Sequence, residues 1–337
     1  MLKWFAGLFL LAMTLQPAAT ADTSRIFRFP QGTDQEAEHE MRQALADAMT
    51  LARFVAITTI PCEESFLRYF TPADFLLVQR VFRTIANIPF NQQFDPRNVG
   101  QILQALAVYA PLNPKFNQLS IALGDNPDVG PPDPSTEGYS NTRKCSDGIY
   151  AGLMLYDPPR YGRRGLMSLC PQTFETFYSL RDIEHPPAWA LDENGNPEEG
   201  FSCTNMLDRD TDYMLSPGAI LLHELLHWPY LFQDIPGYST LVRQYPHNDY
   251  SKIWDFLGPS PSDGYGPYNA MAVRNLPVSP ITGTSQAIQN ADNFVWYAVS
   301  KYWGWRCGRQ FKRSTSAEDA ELRGFLVRDN GLSGGLR

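Results

Sequence analysis

Residues 216–228 read SPGAILLHELLHW and put two of the chain's five histidines, His223 and His227, four apart, with Glu224 directly after the first. On a helix, positions i and i+4 lie one turn apart on the same face. Both imidazoles can then reach one ion at about 2 Å while the glutamate leans toward a water held there. This is the HExxH pattern, in which zinc polarises a scissile carbonyl and the glutamate moves a proton from the water to the leaving amine. The competing expectation is a plain amphipathic helix with two hydrogen-bonded histidines. Against it, Leu221, Leu222, Leu225 and Leu226 surround the polar triplet, and burying three ionisable groups there without a partner ion is costly.

Zinc needs a third protein ligand. A histidine of the HExxHxxGxxH kind is excluded, because Tyr230 and Gln233 occupy the glycine and histidine positions. A glutamate from a following helix is excluded too, since none occurs between His227 and Glu318. Asp234, Asp249, Asp255, Asp263, Asp292 and His247 remain, and an aspartate is the expected ligand.

The elements that must hold these residues can be read from caps and periodicity. Ser216 suits an N-cap, Pro217 the first helical position, and Pro229 stops the helix, so the motif sits on about three turns. Met41, Leu45, Met49, Ala52 and Val55 recur at helical spacing behind Asp34, predicting a helix to about Ile57. A second opens at Thr71, with Pro72 in its first turn and Asp74 completing a capping pair, and runs to Ile85; a third follows Asn98. Residues 111–148 are rich in Pro, Gly, Asn and Asp, and are expected as a long loop with neither helix nor central strand. Residues 149–156 and 165–170 read as two short strands around the turn Asp157-Pro158-Pro159-Arg160.

One domain is expected over residues 34–311, with 22–33 a short extension or propeptide and 312–337 a flexible polar tail. Residues 1–21 carry a lone Lys3, an apolar run from Trp4 to Leu15 and the ending Ala19-Thr20-Ala21. That is a secretory signal, and at about twelve apolar residues it is too short to span a bilayer. The expected product is secreted and extracellular, with no membrane attachment. A net charge of −8 repels nucleic acid and anionic lipid. Cys62, Cys145, Cys170, Cys203 and Cys307 lack zinc-finger spacing, and in an oxidising compartment five cysteines default to two disulfides and one thiol.

HELLH, followed by IWDFLGPSPSDGYGPYNA and then NADNFVWYA, resembles the deuterolysin family of secreted zinc endopeptidases, the aspzincins, which is related to lysine-specific metalloendopeptidases. The specific part spans Leu222 to Ala298, and a weaker likeness extends over 34–307. The resemblance implies an α+β fold, a mainly helical zincin-like domain with a small β-sheet, acting as a monomer on polypeptide. It implies one Zn2+ on His223 and His227, Glu224 as general base and Tyr265 as donor to the developing oxyanion. For the third ligand two aspartates compete. Asp255 matches the Asp-aromatic context, and Asp263 lies two residues before Tyr265; Ser262 stands where the family's Asp falls. Asp292 matches one of two acidic residues that attract lysine in some members, whereas Val295 replaces the other; a helix-start carboxylate is its alternative role. The resemblance also implies the pairs Cys145–Cys170 and Cys203–Cys307, with Cys62 free. A substrate strand is expected along an edge strand, with 165–170 the candidate. The rival expectation is a secreted zinc-containing binding or effector protein of the same fold without turnover.

Overall fold

The computed structural model describes residues 25–109, 111–130, 144–145, 150–242 and 251–321. The expected signal segment, most of the proline-rich centre of 111–148, His247 and residues 322–337 lie outside them. Helices and a small sheet share one core. The helices are α1 (Gln35–Thr58), α2 (Glu64–Tyr69), α3 (Phe75–Ile85), α4 (Val99–Val108), α5 (Pro158–Tyr161), α6 (Pro171–Thr176), α7 (Leu180–Glu184), α8 (Ser202–Asn205), α9 (Pro217–Leu226), α10 (Pro229–Phe232), α11 (Tyr238–Leu241), α12 (Gly266–Arg274), α13 (Ala291–Arg306) and α14 (Ala317–Ala320). The strands are β1 (Phe27–Arg28), β2 (Leu119–Leu123), β3 (Gly152–Leu155) and β4 (Gly165–Leu169).

The caps read from the sequence form. Asp34 accepts from the Ala37 N–H at 2.7 Å to open α1, Thr71 and Asp74 make a reciprocal capping box ahead of α3, and Asn98 caps α4. Ser216 accepts from the Ala219 N–H at 3.2 Å to open α9. Each such cap contributes about 1 kcal/mol.

Every residue of α9 is buried, so this helix is packed on all sides. It lies along α1, the longest helix, with α13 and β3 against its other flanks. Gly218 makes the α1 approach possible: a Cβ there would come 2.7 Å from the Ala44 carbonyl oxygen and the Ala48 nitrogen. Leu221, Leu222, Leu225 and Leu226 are wholly buried, each a burial of about 1.5–3 kcal/mol.

The sheet order is β1-β2-β4-β3, with β1, β2 and β4 parallel and β3 antiparallel to β4. Two expectations are corrected here. The stretch 111–148 holds β2, an interior strand in register with β4 through Ile121↔Met167. Its five residues, LSIAL, are apolar but for Ser120 and point buried side chains to both faces, and so short a run carries no sustained alternation to read. The strand over 165–169 is flanked by β2 and β3 and is no edge; among the described residues the edges are the two-residue β1 and β3.

The chain beyond 311 departs from a flexible tail as far as Glu321. Phe311, Ser314 and Ala320 are buried, Asp210 N–H donates to the Lys312 carbonyl at 3.1 Å, and Arg209 pairs with Asp319. Disulfides join Cys145 to Cys170 and Cys203 to Cys307, leaving Cys62 free and exposed, as the resemblance implies. The second bridge spans 104 residues, and in the chain-entropy description a loop that long is worth about 4–5 kcal/mol. No helix among the described residues is long and apolar enough to cross a membrane; both facts are compatible with secretion.

One buried carboxylate makes this packing pH-dependent. Asp47, wedged between α1 and α9, accepts from the Leu180 N–H at 2.9 Å and the Gln43 amide at 2.7 Å. Burial nevertheless pushes it up to about 7. The folded state then binds a proton that the unfolded chain releases near pH 4, so stability falls as pH rises from about 4 to 7. Asp47→Asn, which has no proton to lose, should gain on the wild type by an additional amount on the order of 2 kcal/mol between pH 5 and pH 8. Thermal melts of both proteins at the two pH values measure it, and an unchanged difference would refute the assignment.

Candidate metal centre

The site begins with α9, which delivers His223 and Glu224 from its last turn, while His227 stands at the C-cap with φ −80°. All three side chains are essentially excluded from solvent. Asp255 arrives from the segment 251–257, which has no helical structure but is fastened to the start of α13 by a parallel bridge between Trp254 and Asn290. The packing therefore brings together residues separated by 28 positions or more, and the third donor comes from a loop.

His223 Nε2 lies 3.1 Å from Asp255 Oδ1, His227 Nε2 lies 3.1 Å from Asp255 Oδ2, and the two Nε2 atoms are 3.1 Å apart. Zinc bonded at about 2.0–2.1 Å in a tetrahedron has ligand–ligand edges of about 3.3 Å, close to those spacings. The opposite ring nitrogens fix the chemistry of this face. His227 Nδ1 is 2.8 Å from the Ile253 carbonyl oxygen, which only accepts, so Nδ1 carries the proton. His223 Nδ1 donates in the same way to Asp292 Oδ1 at 2.7 Å. In the neutral imidazoles both Nε2 atoms then present lone pairs, and they face a carboxylate. Three acceptors without a donor repel one another unless a cation sits between them.

A proton can play that part. Burial disfavours charge on His223, but the Asp255 and Asp292 carboxylates outweigh it and hold the imidazole well above its ordinary range. Burial alone would raise Asp255, and the adjoining His227 and His223 overcome it and push its carboxyl far below the usual range. The pocket is thus built for positive charge, and these three residues form the one group among the described residues with the composition and spacing to hold a metal ion.

Asp255 is the aspartate that the structure brings to the histidines, and Asp263 is not. Asp263 accepts from the Tyr265 N–H at 3.2 Å and from the Asn269 amide at 2.9 Å, and so shapes the turn that opens α12. Tyr265 is buried at the N-cap of α12, its ring centroid 6.3 Å from that of His223 and inclined by 29°. Glu224 lies against the edge strand: a Cβ on Gly152 would come 2.9 Å from its Cγ and 3.0 Å from Oε1.

Asp292 lies in the first turn of α13, the helix-start place expected of it, and its carboxylate is spent on neighbouring segments. Buried, with Oδ1 on His223 and Oδ2 accepting from the Gly266 N–H at 2.6 Å and Trp296 Nε1 at 3.3 Å, it orients a metal-facing histidine. It also touches a cavity of about 20 Å³, lined by Leu215, Ile220, Val295 and Trp296 among others, which has room for roughly one water. Sequence reasoning missed the Asp292–His223 and Ile253–His227 bonds. A helix-start Asp carried a weak signal, and a backbone carbonyl carries none.

Removing a ligand and removing a turn residue should differ. Asp255→Asn is expected to weaken binding of a divalent metal ion by more than about 100-fold, beyond the usual effect of an outer hydrogen-bond partner, whereas Asp263→Asn should leave it unchanged. Competition against a chelating dye measures both, and the reverse order would exchange their roles. Comparison with known protein families, curated proteins and solved structures finds no match to this chain.

Proposed function

We propose that this chain is a secreted zinc endopeptidase of the deuterolysin type, with a zincin-like domain acting on polypeptide as a monomer. The observation that carries the reading is the meeting of His223, His227 and Asp255 at 3.1 Å spacings, with Glu224 next to the first ligand on one helix. A zinc ion held by these three residues would polarise a carbonyl and acidify a water.

The chain's own groups supply the remaining steps. Asp292 and the Ile253 carbonyl keep both imidazoles in the tautomer that exposes Nε2. Glu224 accepts a proton from the attacking water and returns it to the departing amine, as a general base and then acid. Its burial removes competing solvent and strengthens that exchange. Tyr265 gives its phenolic hydrogen bond to the carbonyl oxygen as that oxygen gains negative charge. A peptide strand would pair along β3, the edge next to Glu224, and this replaces the 165–170 strand as the substrate rail.

Glu224→Gln should bind one zinc per chain and lose casein hydrolysis by about 10²–10⁴-fold, the range that a positioned base contributes. Wild-type hydrolysis should disappear with phenanthroline and return with added zinc. One bound zinc without chelator-sensitive cleavage would instead identify a metal-holding binding protein, and full activity in Glu224→Gln would remove this residue from the chemistry.

A further inference from the structure

Asn290 occupies the N-cap position of α13, where asparagine ordinarily turns its side-chain oxygen onto its own helix, yet it makes no such cap. Its amide is spent on two other segments and on one side chain of α13. Oδ1 accepts from the Phe256 N–H at 2.9 Å, and Nδ2 donates to the Gly264 carbonyl at 3.1 Å and to Asn293 Oδ1 at 2.8 Å. Phe256 follows Asp255, and Gly264 precedes Tyr265.

Backbone bonds complete the pattern around Asp255. On its other side the Trp254 N–H donates to the Gln289 carbonyl at 2.9 Å, and the Trp254 carbonyl accepts from the Ala291 N–H at 2.8 Å. The Gly264 N–H also donates to the Phe256 carbonyl at 2.8 Å. A Cβ on Gly264 would sit 2.5–2.7 Å from the Asn290 amide atoms, so the turn reaches this side chain only as glycine. Asp292, which holds His223, lies two residues further on.

We propose that Asn290 is a positioning residue of the metal centre. One buried amide sets Asp255 and Tyr265 at their places relative to His223, and it does so at the expense of capping α13. The inference rests on the metal-centre reading above, and it concerns metal affinity rather than turnover. A buried amide with a donor and an acceptor both engaged holds two segments in one geometry, and a hydroxyl or a carboxylate cannot satisfy the same partners. A preformed ligand set binds the ion without first paying to order a loop.

The test uses the full secreted chain, with zinc sulfate and cobalt(II) chloride as probes. Asn290→Ser places a residue that suits a helix N-cap at this position and loses the reach to Phe256 and Gly264. Its metal-free melting temperature should stay near that of the wild type, while zinc affinity should fall about 10–100-fold, the range for outer-shell partners. The visible absorption of bound cobalt should change shape as well. Gly264→Ala, which displaces the amide without removing it, should weaken zinc comparably. The double variant should lose less than the product of the two single effects, because both act on one contact. Wild-type zinc affinity in Asn290→Ser, or independent multiplicative losses, would overturn the inference. If Asn290→Ser does not fold, unchanged zinc affinity in Gly264→Ala overturns it. A wild-type chain that takes up neither ion fails at the metal reading itself, which keeps the two failures apart.

Discussion

Everything at the site depends on which nitrogen of each histidine bears the proton. A carbonyl behind His227 and a carboxylate behind His223 accept from Nδ1, so both Nε2 lone pairs point forward toward Asp255. Water would normally relieve such a concentration of acceptors, but both imidazoles are buried and the Asp255 side chain is only 8% exposed. Only positive charge can reconcile them. That electrostatic demand gives a metal ion, or a proton in its place, a structural reason to be there, independent of any likeness to other proteins.

The demand also explains where the packing is tightest. An apolar helix can carry a buried glutamate and two buried histidines only if its other faces are sealed by the core, and α9 is sealed by α1, α13 and β3. Two other buried or partly buried carboxylates find partners within the protein. Arg68 and Tyr69 converge on Asp210, and Glu63 binds both Tyr297 at 2.6 Å and Lys301 at 2.5 Å. Those clusters neutralise themselves with protein cations or hydroxyls. The His223, His227 and Asp255 group has acceptors on every forward position, and that distinguishes a site from a buried network.

Local chemistry decided what could be read beforehand. Asp34, Thr71, Asn98 and Ser216 each act on a backbone N–H a few residues away, so a single chain of letters is enough to place them. His223 and His227 were legible for the same reason, since a helix turns i and i+4 onto one face. Strand β2 was not, because four apolar residues and one serine between Pro114 and Pro127 carry neither a sustained alternation nor turn signals of their own. The choice between Asp255 and Asp263 was closed to the sequence for a different reason. It depends on the segment 254–256 bonding to 289–291, a pairing between loops some 35 positions apart that no periodicity announces.

Three glycines show how closely the site is drawn in, and none of them is kept for an unusual backbone angle. Gly218 lets α1 touch the first turn of α9, Gly152 lets the edge strand touch Glu224, and Gly264 lets the turn before Tyr265 touch Asn290. At each, a methyl group would stand within 3 Å of its neighbour, nearer than real side-chain atoms come. Only at Gly218 is the approach one of main chain to main chain, so that the motif helix sits directly on α1, whereas Gly152 and Gly264 make room for the side chains of Glu224 and Asn290. Side chains can change rotamer to absorb strain, whereas main chain in contact cannot. The helix that carries both histidines therefore has little room to shift against α1, and any ion that enters meets imidazoles already in place.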